Sequence, residues 1–496
     1  MTDLNAAIEG LLQHRVLPAR PFETFADYVA AGGGGGLRRA EEMSSTELIE
    51  LVTAAGLRGR GGGGFPTGVK WRTVAGFASE SFPTTVVVNG AEGEPGTFKD
   101  RAIVRANPYA VIEGAVIAAR AVGAPTVVIA LKESFAEELA RTKTAIAEIV
   151  AAGVVDDGVV SVFAGPREYL YGEETALLES IDGRPPFPRI APPWRRGVTE
   201  VVATADDATS ESGLAAPVDM AGNTDAPPTL VNNVETLANV PGIVVHGADW
   251  FRSVGTDESP GTVVCTVSGS TKRAGVGEVA MGTPVRSVID AIGGGVPDGR
   301  SISAVLFGVA NAVLTHNQLD TPLSYEGMKA AGSGLGSAGA IVLADDIDLT
   351  AAAAGVAQFL AIESCGQCTP CKQDGLAISG GLRDLCASPS DAQLIPVVQD
   401  HLATVADGAR CALAGQQQAV VGSLLALIGP AGVADPEAKS IAPLLIAELI
   451  DIDVDGMATY DEGFAGKQPD WTYDEVDSGQ SPVDRLTDRR ADPEQQ

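Results

Sequence analysis

Three apolar, β-branched runs, at residues 84–89, 126–131 and 159–163, alternate with helical stretches at 108–122, 133–152 and 173–181. Each run is apolar along its length instead of at every second position, so it needs cover on both faces. Such strands, separated by amphipathic helices of this length, form βαβ units. The alternation predicts an α/β fold built on a Rossmann-like parallel sheet. Ligands of such sheets bind beyond the carboxyl ends of the strands. The loops after Val88 and Phe163 are therefore the places to look.

Ahead of this sheet, residues 1–44 read as a helical appendage in which the run Gly32 to Gly36 is a flexible hinge. The sheet domain is expected to span 45–255, with a surface insertion rich in Ala, Asp, Ser, Gly and Pro at 200–227. A compact α+β module comes next at 256–347, with a strand at 262–267 and a short helix at 284–292. Residues 348–435 are Ala- and Leu-rich with helical periodicity and read as a helical bundle. The acidic extension 436–496 is expected to be largely disordered from 466, where it becomes polar and aromatic-poor.

The formal net charge of −30, with a pI near 4.4, repels phosphate backbones and argues against nucleic acid as a partner. No run of about 18 uncharged apolar residues occurs, so no membrane span is expected. The opening residues lack a basic and then apolar signal pattern. The expected location is the cytoplasm, with any membrane association made through partner subunits.

Six cysteines are too few for a disulfide framework at this length. Cys365, Cys368 and Cys371 are spaced on one tight turn, and Cys411 lies at a distance. A compact trio with a distant fourth suits the corners of a cubane [4Fe–4S] cluster. Structural zinc sites more often present two separated pairs. Cys265, in an apolar strand, and Cys386, near a helix end, read as packing residues.

Acids and amides recur at the inferred sheet edge. Glu173 and Glu174 open a helix just past a strand, where neutralising the helix dipole is the plain alternative to a ligand role. Asn89, Glu92 and Glu94 come after another strand, and Asn232 and Asn233 stand ahead of a helix, where ordinary capping would also explain them. Gly59, Gly61 and Gly64 formally satisfy the dinucleotide glycine spacing, but a capped helix precedes them and Phe65-Pro66 comes directly after. A standard Rossmann turn is excluded; a linker and a ligand cradle both remain open. Residues 451–462 match the calcium-loop pattern, although the segment after them is a poor helix, which leaves a solvated acidic turn as the alternative.

Five stretches, 56–71, 92–101, 172–180, 231–240 and 363–371, closely resemble the NADH-oxidising flavoprotein subunit of respiratory complex I. That subunit type recurs in NAD-linked formate dehydrogenases and NAD-reducing hydrogenases. The resemblance implies FMN, NAD(H) and a [4Fe–4S] cluster as cofactors. It implies that Gly59, Gly61, Gly62 and Gly64 give close backbone approach to FMN and NADH, and that Lys70 meets flavin phosphate or ring oxygens. Asn89, Glu92, Glu173, Asn232 and Asn233 would line FMN, while Phe65 and the catalytic candidates Glu94 and Glu174 would face NADH. Trp194 would stack on adenine, and Cys365, Cys368, Cys371 and Cys411 would hold the cluster. Residues 267–282 look like the family's ubiquitin-like β-grasp unit. The implied partners are a thioredoxin-like [2Fe–2S] subunit and a larger iron–sulfur or molybdopterin subunit. Two departures, Ala91 for an acid and Ala191 for a lysine, motivate an alternative: a non-catalytic scaffold that keeps the fold and the cluster.

Overall fold

The computed structural model describes residues 10–78, 83–189, 228–389, 391, 393–432 and 440–488. Trp194, Ala191 and the 200–227 insertion lie outside the described residues.

The N-terminal segment is built into the molecule and is not a hinged appendage. Its strand β1 (Leu12–Gln13) runs antiparallel to a strand far along the chain, with Leu12 opposite Val279. Helices come next at Phe25–Ala30, with a Thr24 capping box, and at Gly35–Glu41. The glycine run between them folds around the buried Glu113 carboxylate, which accepts from the Tyr28 hydroxyl at 2.5 Å and from the Gly34 and Leu37 N–H groups at 2.9 Å each. A Cβ on Gly36 would come within 3.0 Å of the Pro241 backbone. These glycines serve close packing, so the hinge reading is corrected.

The helix Ser45–Ala55 starts on a Ser44 capping box and stops at the left-handed Gly56, as its sequence dictates. After the glycine loop, Thr67–Phe77 is also helical, because Pro66 sits at its N-cap and closes the loop without interrupting the helix. The parallel sheet then forms from β2 (Thr85–Gly90), β3 (Thr126–Lys132), β4 (Val160–Gly165) and β5 (Thr229–Asn233), in the order β4-β3-β2-β5. The helix Pro108–Val122 covers one face and is buried nearly all round. The strand β5 was hidden in the sequence because it is short and ends in two asparagines.

A second sheet comprises β6 (Thr262–Gly269), β7 (Gly275–Ala280), β8 (Ile302–Phe307), β9 (Leu314–Thr315) and β10 (Gly339–Ala344), in the order β1-β7-β6-β10-β8-β9. The amphipathic helix Val285–Gly293 packs its apolar face on this sheet. Four helices come after it: Leu349–Glu363, Thr369–Ala387, Leu394–Thr404 and Leu413–Gly432. The first is Ala-rich and almost wholly buried, which lets its neighbours approach closely.

One expectation for the C-terminal extension is corrected, and the less favoured of the two readings of 451–462 is set aside. Residues 467–472 are packed: Trp471 is 5% exposed, Lys467 is buried, and Asp470 accepts from Thr472 and Ser478, while 473–480 run exposed along the surface. Lys467 is paired with Glu363, and the Asp470 and Asp484 carboxylates accept from neighbouring hydroxyls. Nor does 451–462 form a calcium loop. It is a hairpin of β11 (Leu449–Ile452) and β12 (Ala458–Tyr460), in which Asp451 pairs with Arg105 at 2.8 Å and Asp453 accepts from the N–H groups of Asp455 and Met457. Among the described residues no single helix is long and apolar enough to cross a membrane.

Candidate functional site

The glycine loop closes on itself: Gly59 N–H donates to the Phe65 carbonyl, Thr67 N–H to that of Leu57, and Arg58 Nε to that of Gly64. Tyr325, which opens the helix Tyr325–Ala330 packed on the second sheet, braces it by donating its hydroxyl to the Gly59 carbonyl at 2.6 Å while Arg58 lies over its ring at 4.0 Å. Gly62 and Gly64 have positive φ of 116° and 59°, which side chains resist. A Cβ on Gly61 would press on Asn233 at 3.1 Å, whereas one on Gly63 would meet nothing within 4 Å. The loop is therefore an ordered ribbon of bare backbone, anchored on one side and open on the other. Phe65 stands 45% exposed at its end.

This ribbon meets the carboxyl ends of β2 and β5. Asn232 Oδ1 accepts from the Trp71 indole at 2.8 Å, and Asn89 Nδ2 donates to the Gly172 carbonyl at 2.9 Å. Lys70 forms an ion pair with Glu174, so the first turn of one helix is tied to the first turn of the next. Glu173 caps that second helix, accepting from the N–H groups of Thr175 and Ala176. Burial raises its carboxyl above the ordinary range, against those hydrogen bonds. The sheet edge thus gathers Gly59, Gly61, Gly62, Gly64, Lys70, Asn89, Glu173, Glu174, Asn232 and Asn233.

Glu92 and Glu94 have partners outside that set. The Glu92 carboxylate is occupied by Asp100 N–H, Arg101 N–H and Arg101 Nε, so it holds the start of the Lys99–Ala106 helix. Glu94 is half-buried between Tyr169, whose hydroxyl donates at 2.5 Å, and Val309, whose N–H donates at 2.6 Å. Burial pushes its carboxyl up, and both hydrogen bonds oppose that shift.

Sequence reasoning missed a buried charged network beneath the ribbon. Lys99 Nζ lies 2.7 Å from Asp100 and 2.8 Å from Glu235; Asn233 donates to Asp100 at 2.6 Å; Arg60 is buried nearby, with its N–H on the Thr236 hydroxyl. Burial alone would lower Lys99, but Asp100, Glu235 and Glu92 outweigh it and keep the ammonium charged. The signal was present as alternating acids and bases inside glycine- and aromatic-flanked motifs, a pattern that an exposed turn imitates.

Cys365, Cys368, Cys371 and Cys411 line one small cavity with Leu170, Pro188 and Arg410. Cys368 caps the Thr369–Ala387 helix and Cys371 lies in its first turn, where the helix dipole favours thiolate. Arg410 N–H points at Cys368 Sγ from 3.3 Å, and Gln367 Nε2 lies 3.5 Å from Cys365 Sγ. Burial, then the neighbouring thiols, push Cys371 and Cys411 up to about 12. A bound cationic group would offset that shift, since thiolate, not thiol, is the ligating form. Among the described residues no three His, Cys, Asp or Glu side chains are disposed to hold a single metal ion. Four thiols around one cavity, three of them at the compact 365–371 spacing, suit a multi-iron cluster. Cys265 and Cys386 are buried in the core, as expected.

The family description "Nuo51 FMN-binding domain" matches residues 52–242, and "NADH-ubiquinone oxidoreductase-F iron-sulfur binding region" matches 351–428. The second F subunit of the NADH-quinone oxidoreductase of Rhizobium meliloti is 38% identical over 70% of this chain and 78% of that protein. The chain belongs to this F-subunit family. The F subunit of the Streptomyces coelicolor NADH-quinone oxidoreductase is 36% identical over 76% of this chain and 80% of its own length. The HndC subunit of the NADP-reducing hydrogenase of Solidesulfovibrio fructosivorans is 34% identical over 71% and 68%. Among solved structures, the H2-reduced NAD+-reducing [NiFe]-hydrogenase matches with TM-score 0.70 and 28% identity, covering 84% of this chain and 68% of that one. The two family regions bracket the two sites: the FMN-binding domain contains the glycine ribbon and its sheet edge, and the iron–sulfur region contains the four cysteines. The residues fit both groups, since the ribbon is bare backbone open on one side and the cysteine cavity is lined by four thiols.

Proposed function

We propose that this chain oxidises NADH on FMN and passes the electrons singly to a [4Fe–4S] cluster and then to partner iron–sulfur subunits. One observation carries the reading: consecutive residues join the two sites. Tyr169 bonds Glu94 beside the flavin domain, and Leu170 lines the cysteine cavity. The protein's part is to bind, orient and exclude water, while FMN, when bound, supplies the hydride chemistry. Gly59, Gly61, Gly62 and Gly64 admit the flavin against side-chain-free backbone, Gly59 with its N–H closing the loop on Phe65. Lys70 presents its ammonium there, held by Glu174; Asn89, Glu173, Asn232 and Asn233 shape the pocket wall, with Glu92 behind it. Phe65, Glu94, Glu174 and Trp194 would meet the nicotinamide nucleotide. Cys365, Cys368, Cys371 and Cys411 are the cluster ligands.

The units are read as an N-terminal segment at 1–44, an FMN domain at 45–255, a β-grasp module at 256–347, a cluster-bearing bundle at 348–435 and an extension at 436–496. The mixed second sheet with one packed helix supports the β-grasp reading. The partners are a thioredoxin-like [2Fe–2S] subunit and a larger iron–sulfur or molybdopterin subunit, in the cytoplasm. An absorption spectrum of the purified chain tests the function. Flavin absorption that bleaches on adding NADH is expected; a brown, flavin-free protein would overturn it in favour of a scaffold.

A further inference from the structure

Residues 440–488 lie beyond the iron–sulfur match, which ends at 428, yet they close on the turn that carries the first cysteine of the array. Trp471 donates its indole N–H to the Ile362 carbonyl at 2.9 Å. Lys467 pairs with Glu363 at 2.7 Å, both side chains being buried. Val483 N–H donates to the Cys365 carbonyl at 2.9 Å. Ser481 fills the space that a Cβ on Gly366 would need, at 2.4 Å. The turn is gripped from its other side as well. Glu363 accepts the Tyr169 N–H at 3.1 Å with the oxygen that Lys467 leaves free, and the Tyr169 hydroxyl reaches Glu94.

We propose that the extension is a clamp that fixes the 362–366 turn between Glu94 and the cysteine cavity, with Lys467 and Val483 as its positioning residues. Lys467 acts through Glu363 on the backbone of Tyr169 and so on Glu94. Val483 acts on the carbonyl of a cluster ligand. A buried carboxylate with one oxygen on an ammonium and the other on an N–H has a single orientation, which a lone hydrogen bond would not enforce. The clamp rests on the cluster reading given above.

The test uses the full-length, iron-loaded chain and variants at Val483, Lys467 and Glu363. Val483 lies in the first turn of the Pro482–Asp488 helix, where its N–H has no partner within the helix, so Val483→Pro removes the donor to Cys365, and Val483→Ala, which keeps that N–H, controls for the lost side chain. FMN content and initial iron should stay at wild-type levels, while iron is lost to a chelator about fivefold faster, the factor one lost hydrogen bond gives to an opening step. The EPR line shape of the reduced chain should also change. Lys467→Met should lose iron faster still, and adding Glu363→Gln should recover most of that loss, because the amide removes the unpaired buried charge. Unchanged iron loss and EPR signal in Val483→Pro would overturn the clamp while leaving the cluster in place. A wild-type chain that takes up no iron would overturn the cluster reading and the clamp with it.

Discussion

Glu174 and Lys70 form the ion pair that ties the glycine ribbon to the acidic helix start, with side chains 30% and 16% exposed. A partly exposed pair of this kind adds little to stability, so its removal should be read in turnover. Glu174→Gln is expected to retain FMN and lower kcat/KM for NADH by roughly 10- to 100-fold, the range of one charged hydrogen bond. Unchanged NADH oxidation with unchanged flavin would return Glu174 to a helix-start role. Glu94 makes a different prediction. Its carboxyl is raised by burial, so between the ordinary carboxylate value and its folded value the folded chain holds a proton that the unfolded chain has released. Stability from this group is therefore present at low pH and lost as pH rises through that window. In Glu94→Gln the melting temperature should fall less between mildly acidic and neutral pH than in wild type. The amide can still accept from Val309 and face Tyr169, so a collapse of the fold is not expected, and an unaltered pH slope would refute the linkage.

Elements were legible where local chemistry decides them. The Ser44 capping box with Gly56, the runs of β2 and β3, and the helix Pro108–Val122 all lie where caps and apolar patterning put them. What stayed illegible was set by distant partners. Two glycine-rich runs look alike in composition, yet one wraps Glu113 and the other braces on Tyr325, which lies more than two hundred residues away. The acidic extension read as disordered because nothing near it in sequence shows that Lys467, Trp471 and Glu448 have partners at Glu363, Ile362 and Lys132. Gly36 turns this into a prediction. Gly→Ala inside a helix ordinarily stabilises by about 1 kcal/mol. Here the new methyl would come within 2.8 Å of the Glu113 carboxylate, which three donors hold in place, and within 3.0 Å of the Pro241 backbone. Gly36→Ala should instead destabilise by roughly 1–3 kcal/mol, the usual range for overpacking. Thermal unfolding decides the sign, and a raised melting temperature would restore the hinge.

At the scale of the whole molecule, the chain brings one flavin domain and one four-cysteine cavity together through Tyr169 and Leu170 and locks them with its own C-terminal residues. Electron transfer from this arrangement needs somewhere to go. Under the reading proposed above, partner subunits carry the electrons on to any lipid-borne acceptor. Soluble acceptors are different: they reach a flavin or cluster edge by diffusion, and cationic or neutral ones are not repelled by an acidic surface. The isolated chain should reduce a small soluble acceptor with NADH and fail with a hydrophobic quinone until partner subunits are added. Raising the ionic strength should slow a cationic acceptor and spare a neutral one, since screening acts on the charged encounter alone. Efficient quinone reduction by the pure single chain would show a self-contained flavoenzyme and overturn the need for partners.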